Sequence, residues 1–95
     1  VTGGAASQRI DKWLWCARVF RTREQAASFV EEQTVRLTRG GQTQRVGKPG
    51  FNLKEGDEIA LILSGRPKAY RVLAFALRRG SAQEAAALFE ALPVS

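Results

Sequence analysis

The stretch RIDKWLWCARVFRTREQAASFV (residues 9–30) decides the fold. Ile10, Trp13, Leu14 and Ala17 recur at i, i+3, i+4 and i+7, which places them on one face of a helix over about residues 9–19. Helical stepping sets Asp11, Trp15 and Arg18 on the opposite side, with Lys12 further round. The first helix therefore has an apolar face and a mainly basic one, and Trp15 stands among charges. Thr22 is a natural N-cap, and Gln25 completes the capping-box pattern T-x-x-Q. A second helix is expected over about 23–32, with Ala26, Phe29 and Val30 as its apolar stripe. Only a very short link containing Phe20 and Arg21 separates the two, so they must form a tight corner and pack on each other. Arg21 and Arg23 sit at that corner, where the free amides of the second helix suit a phosphate.

Working outward, VTGGAASQ (1–8) is small and polar and reads as a disordered lead-in. Downstream, TVRLT (34–38) alternates, RGGQ (39–42) supplies a turn and TQRV (43–46) can return as a strand. GKPG (47–50) reads as a loop, and Gly56-Asp57 as the turn into DEIALIL (57–63), whose almost unbroken apolar run predicts a buried strand. After the turn SGRP, KAYRVLAFAL (68–77) alternates, with Tyr70, Val72, Ala74 and Ala76 on one side. Ser81 and Glu84 form a second capping box, opening a last helix with Ala85, Leu88, Phe89 and Leu92 as its stripe and Pro93 as its stop. The expected fold is α+β: two packed N-terminal helices on a small, mostly antiparallel sheet with a C-terminal helix, forming a single domain over 9–92.

The charge is concentrated. Residues 1–54 carry ten basic and four acidic side chains (10 − 4 = +6), and residues 55–95 five of each (5 − 5 = 0), so the whole excess of +6 lies in the first half. Such a cluster is the electrostatic footprint of a polyanion-binding face; a plain solvated basic helix is the competing reading. With one cysteine and no histidine, an internal disulfide, a Cys/His zinc site and a histidine-dependent triad are all excluded. No metal or other cofactor is expected. No apolar run is long enough to span a membrane and no secretory signal is visible, so a cytoplasmic protein is expected. The absence of methionine leads us to expect a natural start outside the sequence.

The 9–30 stretch, followed by V-x-L, a glycine turn, KPG and EGDEI, resembles the alpha-L RNA-binding module first described in ribosomal small-subunit protein four, which recurs in pseudouridine synthases and tyrosyl-tRNA synthetases. The W-L-W variant and the tail RRGSAQEAAALFE look closest to the bacterial ribosome-associated fifteen-kilodalton heat-shock protein family. The resemblance covers about residues 9–92. It implies an RNA face made by Arg9, Lys12, Arg18, Thr22, Arg23, Gln25 and Lys48. Two positions depart from the family pattern: Gln33 stands where glycine is usual, and RGG replaces an Asn-Gly turn.

The residues themselves support such a face. Arg23 can pair with a phosphate in forked geometry, Arg9, Lys12 and Arg18 extend the track, and Trp15 could stack on an unpaired base. A tryptophan covered by the C-terminal helix is the competing reading. Asp11 is expected to orient a neighbouring arginine or cap the first helix, and Cys16 to fill a gap. No catalytic constellation is present, so the expected function is non-enzymatic binding of structured ribosomal RNA by a monomer. The resemblance points to the large ribosomal subunit, stalled or dissociated during heat stress. The alternatives are an RNA-guiding module of an rRNA-modifying enzyme such as a pseudouridine synthase, and an adaptor binding DNA or an anionic membrane.

Overall fold

A computed structural model describes residues 7–94. The elements run β1 (Ser7–Arg9), α1 (Ile10–Cys16), α2 (Arg23–Glu32), β2 (Val35–Arg39), β3 (Gln42–Val46), β4 (Asn52–Lys54), β5 (Glu58–Leu63), β6 (Arg66–Val72), α3 (Ala82–Ala86) and β7 (Phe89–Leu92). Five antiparallel strands form one sheet in the order β3-β2-β5-β6-β7, and β1 pairs with β4 in a second, two-stranded sheet. Both helix stripes are buried as expected: Ile10, Trp13, Leu14 and Ala17 from the first, Ala26 and Val30 from the second, with Phe29 packed at the edge. They meet Val35, Leu37, Ile59, Leu61 and Val72 from one face of the large sheet, forming a single apolar core.

The second helix lies where its cap put it. Thr22 Oγ1 accepts from the Gln25 amide at 3.0 Å. The return bond of a full capping box is absent among the described residues. The turn of RGGQ is formed by Gly40 and Gly41, both at positive φ (60° and 81°), which glycine adopts without steric cost.

Five expectations need correction. The first helix ends at Cys16, not near residue 19. Arg18 takes φ 63°, its amide bonds to Trp15 O at 3.0 Å and the Val19 amide to Leu14 O at 3.0 Å, a Schellman termination built on an arginine instead of a glycine. Ser7 and Gln8, read as part of a disordered lead-in, are strand residues paired with Lys54 and Leu53; residues 1–6 of that lead-in lie outside the described residues. The strand at 57–63 is buried on one face only: Ile59 and Leu61 point inward, while Ala60 and Ile62 are exposed, the latter by 61 %. The strand expected to reach residue 77 stops at Val72; the backbone beyond it bends so that Leu73 and Ala74 both donate to Leu88 O.

The last helix is a single capped turn. Its capping box is complete (Glu84 N to Ser81 Oγ 3.2 Å, Ser81 N to Glu84 Oε1 3.1 Å). Phe89–Leu92 then leaves the helix to pair with β6. That pairing satisfies backbone groups of an otherwise open sheet edge and sets the Phe89 ring edge-on to Tyr70 at 5.1 Å. Long-range pairing here overrides a local sequence with helical periodicity.

Candidate functional site

The basic corner is organised by an acid. Asp11 is only 3 % exposed, although helical stepping placed it on the polar side. Its carboxylate accepts from the Lys12 amide (2.7 Å), from Arg9 Nε and Nη2 (both 3.2 Å) and from Arg23 Nε (3.4 Å). Arg9 enters from the end of β1 and Arg23 from the first turn of α2, so one carboxylate in α1 ties the strand before it to the helix after it. The arginine side chains remain 53 % and 42 % exposed. Each guanidinium carries five donors, so unused N–H groups stay available to a ligand on the open side.

The KPG loop closes the same corner. Asp11 N donates to Pro49 O at 3.3 Å and Ile10 N to Phe51 O at 2.8 Å, bringing the loop that carries Lys48 against the start of α1. The Arg9 guanidinium lies against Gly50: a Cβ added there would meet it at 3.8 Å. Lys48 is exposed. Thr22 and Gln25 are exposed at the start of α2, beside Arg23 and joined by the cap bond. Lys12 is half-buried. Burial raises the Cys16 thiol pKa, outweighing the positive charges of Lys12, Arg23 and Arg79 that lower it.

Two expected site residues stand apart from the Asp11 cluster. Arg18 follows the other end of α1, about 10 Å further along the axis, and its Nη1 donates to Gly80 O at 2.7 Å. Trp15 is half-buried and packs against the core, and its carbonyl accepts from Arg79 Nε at 3.1 Å. Both arginines fasten the irregular 73–80 segment to α1.

Sequence reasoning missed Arg39 and Phe51. Arg39 grips Asp57, 2 % exposed, through Nε (2.8 Å) and Nη2 (2.6 Å), which raises the Arg39 pKa, and its guanidinium lies 5.6 Å from the centre of the Phe51 ring. Phe51 adjoins Gly50, so this pair braces the sheet beside the corner that carries Arg9. The strand register that brings β2 beside β5 is what joins Arg39 to Asp57; no local pattern signals it.

A two-helix corner on an antiparallel sheet, bearing clustered guanidinium groups, defines a small module of the alpha-L kind. No family model matches the chain. It is 35 % identical over 82 residues to the heat shock protein 15 homologue of Aeromonas salmonicida and 30 % identical over 82 residues to that of Haemophilus influenzae. Each match takes in 86 % of this chain but only 58 % and 59 % of those relatives, so the chain spans just under three fifths of their length. Its fold matches a structure of Vibrio cholerae heat shock protein 15, described as trimeric, with a TM-score of 0.77 and 31 % identity over 90 % of this chain and 82 % of that one. The chain belongs to the heat shock protein 15 family. Among the described residues, no helix is long and apolar enough to cross a membrane.

Proposed function

We propose that this chain is a non-enzymatic, cytoplasmic RNA-binding protein that recognises structured ribosomal RNA, acting on the large ribosomal subunit when it is stalled or dissociated under heat stress. The observation that carries the reading is the buried Asp11 carboxylate holding Arg9 and Arg23 together while both guanidinium groups stay half-exposed. Arginines fixed in this way meet phosphates without first losing side-chain freedom. Lys12 and Lys48 extend the face, Thr22 and Gln25 offer polar groups beside Arg23, and Trp15 and Arg18 form its far end. The surface reads backbone shape, which suits a folded RNA better than a base sequence.

Binding should weaken steeply with salt, log K falling by about 0.7–0.9 per phosphate contact for each unit of log salt. Arg23→Ala should lose about ten-fold in affinity for ribosomal RNA and flatten the salt slope by about one, whereas Arg66→Ala, at the exposed start of β6, should change little. Equal losses from the two variants, or a salt-independent affinity, would remove the case for the corner. Its assembly state is proposed as a single-domain monomer; sedimentation at 10.4 kDa tests this, and a mass three times larger would overturn it in favour of the arrangement described for the Vibrio relative.

A further inference from the structure

Beside the basic corner, between β3 and the 47–51 loop, lies an open groove of about 650 Å³ lined by Gln44, Arg45, Lys48, Gly50 and Phe51 among others. Its composition is that of a nucleotide site: an aromatic ring, a side-chain amide and two cations. The Phe51 ring is half-buried, held by the core and by the Arg39 guanidinium over it, so it is a fixed platform. Neither Arg45 nor Lys48 forms an ion pair among the described residues. Arg45 stands directly across the strand pair from Arg36, and both are exposed. Like charges so opposed destabilise a sheet; the pair lies on its outer face, from which Arg45 borders the groove around the open edge of β3. The groove also adjoins the corner, because Gly50, which borders it, is the residue against which the Arg9 guanidinium rests.

We infer that this groove receives a single unpaired nucleotide projecting from the RNA helix gripped at the corner. The base lies against the exposed part of Phe51 with Gln44 at its edge, Lys48 takes one flanking phosphate, and Arg45, on the outer face of edge strand β3, takes the next as the nucleotide backbone passes round that edge. This inference rests on the RNA-binding reading above and adds a requirement for an extruded base. It adds Phe51 as a stacking surface beside the one expected of Trp15; both rings are half-buried against the core.

The test uses three RNA hairpins: one with a bulged adenosine, one with an abasic residue at the bulge, and one fully paired. The wild-type chain should bind the adenosine bulge about ten-fold more tightly than the abasic one, the range expected for a base stacked on an aromatic ring. Phe51→Leu should abolish that preference and leave affinity for the paired hairpin unchanged. Arg23→Ala should weaken all three and keep the preference. Because Phe51→Leu disturbs a side chain packed on the core, a second readout uses the wild-type chain alone: a fluorescent adenine analogue at the bulge should be quenched on binding by stacking. Binding of all three RNAs with equal affinity and no quenching overturns the groove assignment while leaving the RNA reading intact. Failure to bind any of the three overturns both.

Discussion

Two buried aspartates do opposite work in this molecule. Asp57 is held by one arginine in a short, forked pair (2.6 and 2.8 Å) and by the Lys54 amide at 2.8 Å. Arg39 spends a further donor on Asn52 O at 3.2 Å and lies over the Phe51 ring. That arrangement fastens β2, β4 and β5 to one another. Asp11 has the same depth and a similar amide contact, at 2.7 Å, but divides itself between two arginines at 3.2–3.4 Å. One carboxylate is a brace whose arginine spends three hydrogen bonds on the fold; the other is a holder shared by two arginines that spend one or two each. The length and sharing of the contacts, more than the burial of the acid, separate the two pairs.

The largest effect should come from removing the brace. Asp57→Ala leaves the Lys54 amide and the Arg39 fork without their acceptor and should destabilise the fold by about 2–3 kcal/mol, measured by urea unfolding. Stability equal to the parent's would dissolve the distinction between the two acids. Asp11→Asn sharpens it from the other side. The substitution removes a negative charge from a chain of formal net charge +6, so charge counting alone predicts tighter RNA binding. Loss of the holder predicts weaker binding, by about three- to ten-fold, in a filter-binding or anisotropy titration at fixed salt. Tighter binding would show that Asp11 does not organise the arginines for their ligand.

A smaller effect belongs to the cap of α3. Ser81→Ala should cost about 1 kcal/mol through loss of the α3 N-cap bond. The Ser81 amide and hydroxyl hold the Glu84 pKa below the ordinary glutamate value. Its folded-state pKa is thus lower than its unfolded one, so the contribution is present above the unfolded value and is lost as pH falls through the folded one. Hydrogen exchange at the Ala85 amide should accelerate over that acidic range in the parent and not in a Glu84→Gln variant.

The sequence made the second helix legible because all its signals are local: a threonine cap, a three-residue stripe and polar residues between. The hairpin was legible through its paired glycines. The end of the first helix was hidden because an arginine, not a glycine, occupies the left-handed position. The C-terminal segment misled because Leu88, Phe89 and Leu92 satisfy a helical stripe, while strand pairing to β6 decides where Phe89 and Leu92 go. At the site, Arg9, Arg23 and Lys48 were readable from charge density and from the family pattern. The depth of Asp11 was not, since it depends on α2 and the 47–51 loop closing over it.

The irregular 73–80 segment carries one more consequence. Trp13 Nε1 donates to Ala74 O at 3.0 Å across 61 positions of chain, and Gln8 Nε2 and Cys16 Sγ both reach Ala76 O. The first helix is therefore finished by a strap synthesised long after it. On an emerging polypeptide the indole lacks its acceptor until that strap leaves the exit tunnel. The first helix of the newborn chain thus stays unfinished until residues 73–80 have emerged.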